Sequence, residues 1–391
     1  MADNNTVVIL GGGTGGLVAA RRLRWLLDPA DRVVVVDQTA DYLFAPSFLW
    51  VMNGTRRPGQ VKAERARLRR AGIEIVQAEI HEIDVARRRV KTSEAQIAFD
   101  RLVIALGADL DPGAVPGFPG AAHNLYTLDG AAAAASALRG LEAGRVVVAV
   151  SRLPFKCPAA PYEAAFLAEA LLRRRGLGDQ VSVDVYTPEP FPMPTAGPVL
   201  GDALTGMLAQ RGIGFHLGQV IERIDPPARE LALAGGQRVG YDLLLGIPAH
   251  RAPEAAAASG LAGETGFLQA DPATLATSAE GVYAIGDVTA IPLPGGKFLP
   301  KAGVFAEAQA KVAARNIAAE LAGRRSAAAF DGHGACFVEL GDRRAAFAAG
   351  NFYAPGSPQI RLRRPGPQWH LAKVAFEQYW LRRWARPHGP T

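Results

Sequence analysis

The sequence is poor in cysteine and in long apolar runs. Only two of its 391 residues are cysteine, Cys157 and Cys336, which excludes a small scaffold held together by disulfides. No stretch of about 18 consecutive apolar residues occurs, which argues against a transmembrane helix. The N-terminal segment MADNN lacks the basic and apolar regions of a secretory signal. The seven histidines show no metal-ligand spacing, and we predict no metal site.

An excess of charge of one sign is confined to the C-terminus. The chain has 43 Lys and Arg against 37 Asp and Glu, a net charge of +6. Residues 361–391 hold seven basic residues and one acid, Glu377, so the remainder of the chain is neutral. No basic groove for nucleic acid is therefore predicted. Three of the five tryptophans lie in the same segment, and this combination favours a membrane surface as a partner.

The clearest signal is an N-terminal pattern of strand, turn, helix and strand. The apolar segment TVVIL is followed by GGGTGG, by LVAARRLRWLL and by DRVVVVD. Gly11, Gly13 and Gly16 form GxGxxG between strand and helix, where they permit a tight turn, close approach of a pyrophosphate and close helix packing. Asp37 closes the second strand and can accept hydrogen bonds from a ribose. The context predicts dinucleotide binding rather than a merely structural turn.

Two further segments extend this pattern. Residues 99–109 read FDRLVIALGAD, with Gly107 after the strand, and an apolar strand near residue 284 ends at Gly286 and Asp287. Together with the first motif, they make the chain similar to flavoproteins of the pyridine nucleotide-disulfide oxidoreductase superfamily. The resemblance implies that the first motif binds the ADP part of FAD. It also implies that Gly286 and Asp287 lie at the ribityl and pyrophosphate region.

A second strand and helix begin at residue 144, but the turn between them lacks glycine. It reads SRLPFKCPAAPYE, and its prolines stiffen the loop, so its backbone is poorly suited to a pyrophosphate. The nicotinamide site of related enzymes is therefore expected to be lost. Cys157 stands in its place, before a helix whose positive end is expected to favour a thiolate.

These patterns predict an α/β fold with two Rossmann-like dinucleotide-binding domains and a C-terminal segment that contains an amphipathic helix. We expect a discontinuous FAD domain formed by residues 1–115 and 236–320. Residues 116–235 are expected to form the second domain, without the NAD fingerprint. Residues 321–391 are expected to cap the flavin and to meet the membrane.

Four segments are similar to the family of sulfide:quinone oxidoreductases and flavocytochrome c sulfide dehydrogenases: YLFAPSFLWVMNG, KCPAAPYEAA, KFLPKAGVFAEAQAKVAARNIA and GACFVELGD. The resemblance implies that Cys157 and Cys336 form a redox pair facing FAD. Hydrosulfide would attack the bridge between them, and two electrons would pass through the flavin to a quinone. From the residues alone, two inert buried thiols are the alternative.

The resemblance also gives roles to two charged residues. Glu163 is expected to accept a proton from hydrogen sulfide or from a cysteine thiol, although a solvated carboxylate near a helix N-terminus is equally consistent with the sequence. Lys301 is expected near the flavin, where it would stabilise negative charge on the reduced ring; a surface lysine is the alternative.

The chain departs from the family pattern at three places. Many sulfide:quinone enzymes carry a third cysteine in the segment that corresponds to residues 123–131, and none is present here. No histidine occurs in PEPFPMPTAGP, where the family often has one. The segment LFAPSFLW offers no cysteine for a thioether, so FAD is expected to bind non-covalently.

Residues 368–386 fit an amphipathic helix that is rich in aromatic side chains. One predicted face comprises Ala372, Phe376, Tyr379, Trp380 and Trp384. The flanking basic residues are Arg382, Arg383 and Arg386. This composition favours a helix that lies at a lipid headgroup boundary, whereas packing on the protein's own core or on a dimer partner is the alternative.

The leading hypothesis is a peripheral membrane enzyme on the cytoplasmic side that oxidises sulfide and reduces a quinone. Cytochrome c is an alternative electron acceptor. An NADH:quinone reductase is weakened by the missing second fingerprint, and a non-catalytic flavin-binding protein that docks a partner or a membrane is a further alternative. A homodimer is possible.

Overall fold

Apolar strands alternate with helices along the chain. The computed structural model describes residues 4–294, 296–325 and 327–382. Within them the helices are α1 (Thr14–Leu26), α2 (Phe48–Met52), α3 (Phe118–Ala121), α4 (Leu128–Gly140), α5 (Ala160–Arg174), α6 (Pro198–Gln210), α7 (Glu254–Ala257), α8 (Gly303–Leu321) and α9 (Pro367–Trp380). The strands up to residue 150 are β1 (Thr6–Leu10), β2 (Arg32–Asp37), β3 (Asp41–Leu43), β4 (Lys62–Glu64), β5 (Glu74–Gln77), β6 (Ile80–Asp84), β7 (Arg89–Thr92), β8 (Gln96–Ala98), β9 (Arg101–Ile104), β10 (Asp109–Asp111), β11 (His123–Asn124) and β12 (Gly144–Val150). The later strands are β13 (Val181–Tyr186), β14 (Gly214–His216), β15 (Ile221–Asp225), β16 (Glu230–Leu233), β17 (Arg238–Gly240), β18 (Leu243–Ile247), β19 (Ala249–Arg251), β20 (Val282–Ala284), β21 (His333–Glu339), β22 (Ala345–Asn351) and β23 (Gln359–Gly366).

The first sheet is parallel and has the strand order β20-β9-β1-β2-β5. Its central strands are continuous runs of valine, isoleucine and leucine, as expected for strands that are covered on both faces. Helices α1 and α8 pack against each other beside this sheet. Because β20 comes from a distant part of the sequence, this dinucleotide fold is discontinuous, which confirms the predicted architecture.

The second sheet is also parallel, with the order β11-β18-β12-β13-β14. Strand β18 lies next to β12, whereas the sequence interpretation placed it in the first unit, which was to resume at residue 236. The apolar run of β18 fits either sheet, so the sequence could not assign it. We therefore propose a boundary near residue 248, just after β18.

An antiparallel three-stranded sheet, β21-β22-β23, and helix α9 complete the described part of the chain. Helix α5 contacts β21, and α9 contacts β21 and β22. Cys157 and Cys336 pack against one hydrophobic cluster that includes side chains from α5 and β21. The C-terminal segment is therefore folded against the second dinucleotide unit at the point where the cysteines lie. Across the described ranges, no helix combines the length and the apolar character needed to cross a bilayer.

Candidate active site

The glycine-rich turn between β1 and α1 has the geometry of a close-approach site. Gly11 has a φ of +92°, and a Cβ there would lie 2.4 Å from the carbonyl oxygen of Ala105. A Cβ on Gly16 would lie 1.8 Å from the carbonyl oxygen of Gly11, so Gly16 allows α1 to pack closely. Apart from the adjacent residues, no atom of the described chain lies within 4 Å of a Cβ placed on Gly13 or Gly107. These two glycines border open space, as a bound ligand requires.

Asp37, at the end of β2, is fixed by contacts within the protein. Its Oδ2 accepts the N–H of Gly12 at 2.7 Å, and its Oδ1 lies 3.0 Å from the guanidinium of Arg65. Arg65 is buried and also donates to the carbonyl oxygen of Gly12 at 2.9 Å. Sequence reasoning missed Arg65, because the basic run RARLRR is typical of an exposed surface.

Asp287 supplies the clearest sign of a missing hydrogen-bond donor. Within the described ranges its Oδ1 is buried and has no hydrogen-bond partner, and burial raises the pKa of this carboxyl against the influence of Lys156 and Lys301. The neighbouring Gly286 has a φ of +73°, and its N–H donates to Oε1 of Gln309 at 2.7 Å. An unpaired buried carboxylate oxygen is costly unless a ligand donates to it. These residues therefore fit a hydroxylated cofactor such as FAD.

Lys301 lies beside Asp287 and is buried rather than on the surface. Its Nζ donates to the carbonyl oxygens of Asp287 at 2.7 Å and Thr289 at 2.9 Å, and it lies 3.4 Å from the ring centroid of Phe267. Burial lowers its pKa to about 8. The structure thus places Lys301 in the cleft region of Asp287, whereas its predicted effect on a reduced flavin stays a prediction.

Cys157 lies in the loop before α5 and is uncharged in this environment. Burial raises the pKa of its thiol to about 12, and Glu163 adds to this increase. The N–H of Ala160, in the first turn of α5, lowers the thiol pKa of Cys157, but burial has the larger effect. The expectation that the helix N-terminus would hold Cys157 as a thiolate is therefore wrong for this conformation.

Cys336 reaches the same region from β21. Its pKa is raised well above the usual value by burial first, and then by the proximity of Cys157 and Glu163. Both cysteines are half-buried, and they are free thiols in this structure. The fold thus brings two sulfurs that are distant in sequence close enough for the charge on one to affect the other.

Glu163 is part of a buried ion pair rather than a solvated carboxylate. Its Oε1 accepts from Nζ of Lys373 at 2.7 Å and from the N–H of Glu339 at 2.8 Å. Burial raises the pKa of Glu163, whereas Lys373 opposes that increase. Lys373 also lowers the thiol pKa values of Cys157 and Cys336. A cation from α9 therefore acts on all three predicted catalytic groups.

The inner face of α9 is charged, which sequence reasoning missed. His370 lies 3.0 Å from Glu339, Glu377 lies 2.7 Å from Arg56, and Lys373 pairs with Glu163 as described above. The sequence contains little indication of these ion pairs, because the acidic and basic partners lie on distant elements. The aromatic spacing also dominated the helical pattern.

The prediction that the aromatic face of α9 lies at a lipid headgroup boundary is wrong for Trp380. This side chain is buried and stacks on Tyr42, with ring centroids 4.8 Å apart, while Phe376 is half-buried and Tyr379 is exposed. Trp380 lies on the inner face because Lys373, Glu377 and Trp380 follow one another at helical spacing. The predicted continuation to Arg383, Trp384 and Arg386 lies outside the described residues.

Within the described chain, no group of three or more potential metal ligands is arranged to bind an ion.

The turn after β13 holds a buried acid, Glu189. Glu189 lies three residues beyond the end of β13, whereas Asp37 is the last residue of β2. Its carboxylate accepts hydrogen bonds from the hydroxyls of Tyr162 and Thr187, and burial raises its pKa to about 7. Tyr162 is a buried residue of α5, so side chains from α5 and from the turn after β13 fill this part of the second dinucleotide unit.

We expect the variant Glu189→Gln to gain stability relative to the wild type as pH rises. A carboxyl whose pKa is higher in the folded than in the unfolded state loses stabilisation as pH rises from the unfolded value to the folded one. Between pH 5.5 and 8 the difference in the free energy of unfolding should therefore shift by about 2 kcal/mol in favour of the variant. Urea unfolding at both pH values measures this shift. The exposed Glu94→Gln serves as the control, and parallel pH profiles for Glu189→Gln and the wild type would refute the buried-acid interpretation.

Comparison with known proteins is consistent with this geometry. The sequence family described as pyridine nucleotide-disulphide oxidoreductase matches residues 5–150 and 162–314. The mitochondrial sulfide:quinone oxidoreductase of Mus musculus is 24% identical over 89% of this chain and 78% of its own. The sulfide-quinone reductase of Aquifex aeolicus is 26% identical over 96% of this chain and 90% of its own.

A solved structure has the same fold. The X-ray structure of the sulfide:quinone oxidoreductase from Aquifex aeolicus superposes with a TM-score of 0.89 at 24% identity. The match covers 98% of this chain and 92% of that one, so it includes the C-terminal sheet and α9. The family resemblance and the fold class predicted from the sequence are thereby confirmed.

Proposed function

The chain belongs to the pyridine nucleotide-disulphide oxidoreductase family and is an FAD-dependent oxidoreductase, and we propose that it oxidises sulfide at Cys157 and Cys336 and passes the electrons to a quinone. The observation that carries this proposal is the proximity of the two cysteines, which pack against one hydrophobic cluster and influence each other electrostatically, beside the Glu163–Lys373 ion pair. The curated relatives named above, which act on sulfide and a quinone, support the choice of substrates.

The proposed first step is thiol–disulfide exchange. Hydrosulfide attacks a bridge between Cys157 and Cys336, so that one new S–S bond forms, the bond between the cysteines breaks, and one cysteine leaves as a thiolate. Re-forming the bond between the cysteines releases the outer sulfur as zero-valent sulfur and leaves two electrons and a proton. Bound FAD supplies the two-electron acceptor.

The surrounding charges suit this exchange. Burial makes a free thiolate costly at either cysteine, whereas Lys373 lowers the pKa of both thiols and so stabilises the thiolate that leaves. Glu163 shares a hydrogen bond with Lys373, which places an acceptor for the released proton next to that cation. In this proposal Glu163 and Lys373 act together, one on the proton and the other on the negative charge.

The test is anaerobic mixing of the oxidised holoenzyme with sulfide or with NADH. We expect sulfide to bleach the flavin absorption band and NADH to leave it unchanged, and a soluble quinone analogue to restore the band. Restoration by cytochrome c alone would replace the quinone with that acceptor. Bleaching by NADH alone would contradict the proposal in favour of an NADH dehydrogenase, and bleaching by neither would favour a non-catalytic flavoprotein.

We propose that the FAD site comprises the glycine turn and the Gly-Asp segment. The residues are Gly11, Gly13, Gly16, Asp37, Gly107, Gly286, Asp287 and Lys301. The N-terminus of α1 would face the pyrophosphate, and the unpaired oxygen of Asp287 would accept a hydrogen bond from the ribityl chain. FAD would be held without a covalent bond.

We expect Gly13→Val to lose FAD affinity by at least about tenfold without unfolding the protein. A Cβ at this position meets no atom of the described protein beyond the adjacent residues, but the added side chain enters the space that we assign to the pyrophosphate. Fluorescence titration of the apoprotein with FAD measures the affinity, and circular dichroism checks the fold. Gly59→Val is the matched control, because a Cβ at Gly59 also meets no atom of the described chain. Equal FAD affinity for both variants would remove Gly13 from the site.

We also propose that the protein binds a membrane surface through the outer side of its C-terminal segment. Leu371, Ala375 and Tyr379 are exposed along one stripe of α9. Three arginines are exposed on β23, which contacts α9: Arg361, Arg363 and Arg364. An apolar stripe next to cations suits an anionic lipid surface. Supplying the quinone in anionic rather than zwitterionic vesicles should therefore speed restoration of the flavin band, and equal rates would contradict this surface.

A further inference from the structure

A single peptide group next to the catalytic sulfur is held on both sides. The carbonyl oxygen of Lys156 accepts the hydroxyl of Tyr126 at 2.5 Å. The N–H of Cys157, which belongs to the same peptide plane, donates to the carbonyl oxygen of Lys301 at 2.7 Å. Both polar atoms of the 156–157 peptide are therefore occupied by residues that are distant in sequence.

Cys157 needs this support, because its backbone is in an unfavourable conformation. Its φ is +53°, in the left-handed region that residues with a Cβ rarely adopt. A turn of the 156–157 peptide would let Cys157 relax to negative φ and, because the favoured χ1 rotamer depends on φ, would change the direction of its sulfur. Such a turn would break both hydrogen bonds, so the two contacts keep the sulfur in its present direction.

Tyr126 is itself well fixed. Its N–H donates to Oδ1 of Asn124 at 2.9 Å, and the next residue, Thr127, caps α4 by accepting from the N–H of Gly130. The ring of His250 packs edge-on against the Tyr126 ring, with centroids 5.1 Å apart. The hydroxyl of Tyr126 therefore projects from a rigid turn at the edge of the second sheet.

We infer that Tyr126 is a positioning residue, whose hydroxyl fixes the 156–157 peptide and so directs the sulfur of Cys157 towards Cys336. The inference deepens the proposed function and rests on it for the role of the sulfur pair. The hydroxyl acts through the peptide rather than on substrate, since its hydrogen is already donated to the carbonyl oxygen of Lys156.

The protonation state of Tyr126 agrees with this role. Burial raises its pKa well above the usual value, and Cys157 and Glu189 add to the increase. The hydroxyl thus stays protonated at neutral pH and keeps its hydrogen available for the carbonyl. A negative charge that develops on Cys157 reinforces this state, so the contact persists when the sulfur becomes a thiolate.

The test compares Tyr126→Phe with wild type in a thiol–disulfide equilibrium. Holoenzyme is equilibrated with mixtures of reduced and oxidised dithiothreitol, and free thiols are counted by alkylation and mass spectrometry. We expect the equilibrium constant for forming the disulfide to fall about tenfold in the variant, because the reduced protein can then relax Cys157 to negative φ, whereas the disulfide holds the present conformation. This change corresponds to about 30 mV for a two-electron couple. The rate of flavin bleaching by sulfide should fall by a similar factor, while reoxidation by quinone stays unchanged.

Tyr353→Phe is the matched control, because the hydroxyl of Tyr353 also donates to a backbone carbonyl, that of Pro272, at 3.0 Å. A shift in Tyr126→Phe alone supports the inference. Identical titrations for Tyr126→Phe and wild type, equal shifts in both variants, or a wild type that forms no disulfide would overturn it. The proposed function fails separately, if sulfide does not bleach the wild-type flavin, and the thiol titration still decides the role of Tyr126 in that case.

Discussion

Flavin reduction by sulfide is expected to fall at least about a thousandfold when either Cys157 or Cys336 is replaced by serine. The exchange needs both sulfurs, one to carry the incoming sulfur atom and the other to leave as a thiolate, and a serine hydroxyl can do neither under these conditions. Removing a nucleophile that acts together with a partner typically costs this much or more. Stopped-flow absorbance after anaerobic mixing with sulfide measures the rate.

Two controls separate this loss from damage to the fold. Both serine variants should keep bound FAD, and quinone should reoxidise their chemically reduced flavin at the wild-type rate. Ala335→Ser changes the neighbouring position on β21 and should leave sulfide reduction close to normal. Full activity in both cysteine variants would rule out the thiol mechanism and leave the two residues as inert thiols.

The second large effect is expected at the ion pair between α9 and α5. Lys373→Met removes the cation and leaves Glu163 buried without its partner, so we expect the free energy of unfolding to fall by about 3–5 kcal/mol at pH 7. Both side chains are almost fully buried, 8% and 5% exposed, so water cannot replace the lost contact. The double variant Glu163→Gln with Lys373→Met should recover most of this stability, because neither charge then remains.

Urea unfolding of the two single variants and the double variant measures the coupling between these residues. Lys62→Met provides a comparison at an exposed pair, since Lys62 lies 2.9 Å from Asp41 with nearly half of its side chain exposed, and it should cost at most about 1 kcal/mol. If Lys373→Met lowers the free energy of unfolding no more than Lys62→Met does, the charged inner face of α9 does not hold this helix against β21.

Local sequence patterns predicted the parts of the fold that depend on neighbouring residues. The GxGxxG spacing places Gly11 where a Cβ would collide with Ala105, and Gly16 where a Cβ would collide with the turn itself. The Gly-Asp pair after β20 likewise includes Asp287, whose Oδ1 has no hydrogen-bond partner among the described residues. Both motifs are short, fixed spacings of residues, so the sequence alone could indicate them, even though Ala105 is distant in sequence from Gly11.

The contacts that the sequence could not predict join distant segments. Lys373 finds Glu163 across 210 residues, and Tyr126, which follows β11, reaches the carbonyl of Lys156, which follows β12. The aromatic spacing of α9 suggested an outward face, yet the ion pairs turn Trp380 inward. Burial, which no local pattern encodes for a single cysteine, also reverses the expected ionisation of Cys157.

The most direct test of the sulfur pair is peptide mapping under non-reducing conditions, before and after a single anaerobic turnover with sulfide. We predict a cross-linked species that joins the peptides containing Cys157 and Cys336, directly or through inserted sulfur, in the oxidised protein. In protein that is mixed with sulfide and quenched by alkylation before the flavin bleaches, a persulfide on one of the two cysteines should replace it, and the cross-link should return once the turnover is complete. Two separately alkylated cysteines in both samples, from a protein whose flavin sulfide still bleaches, would contradict the account.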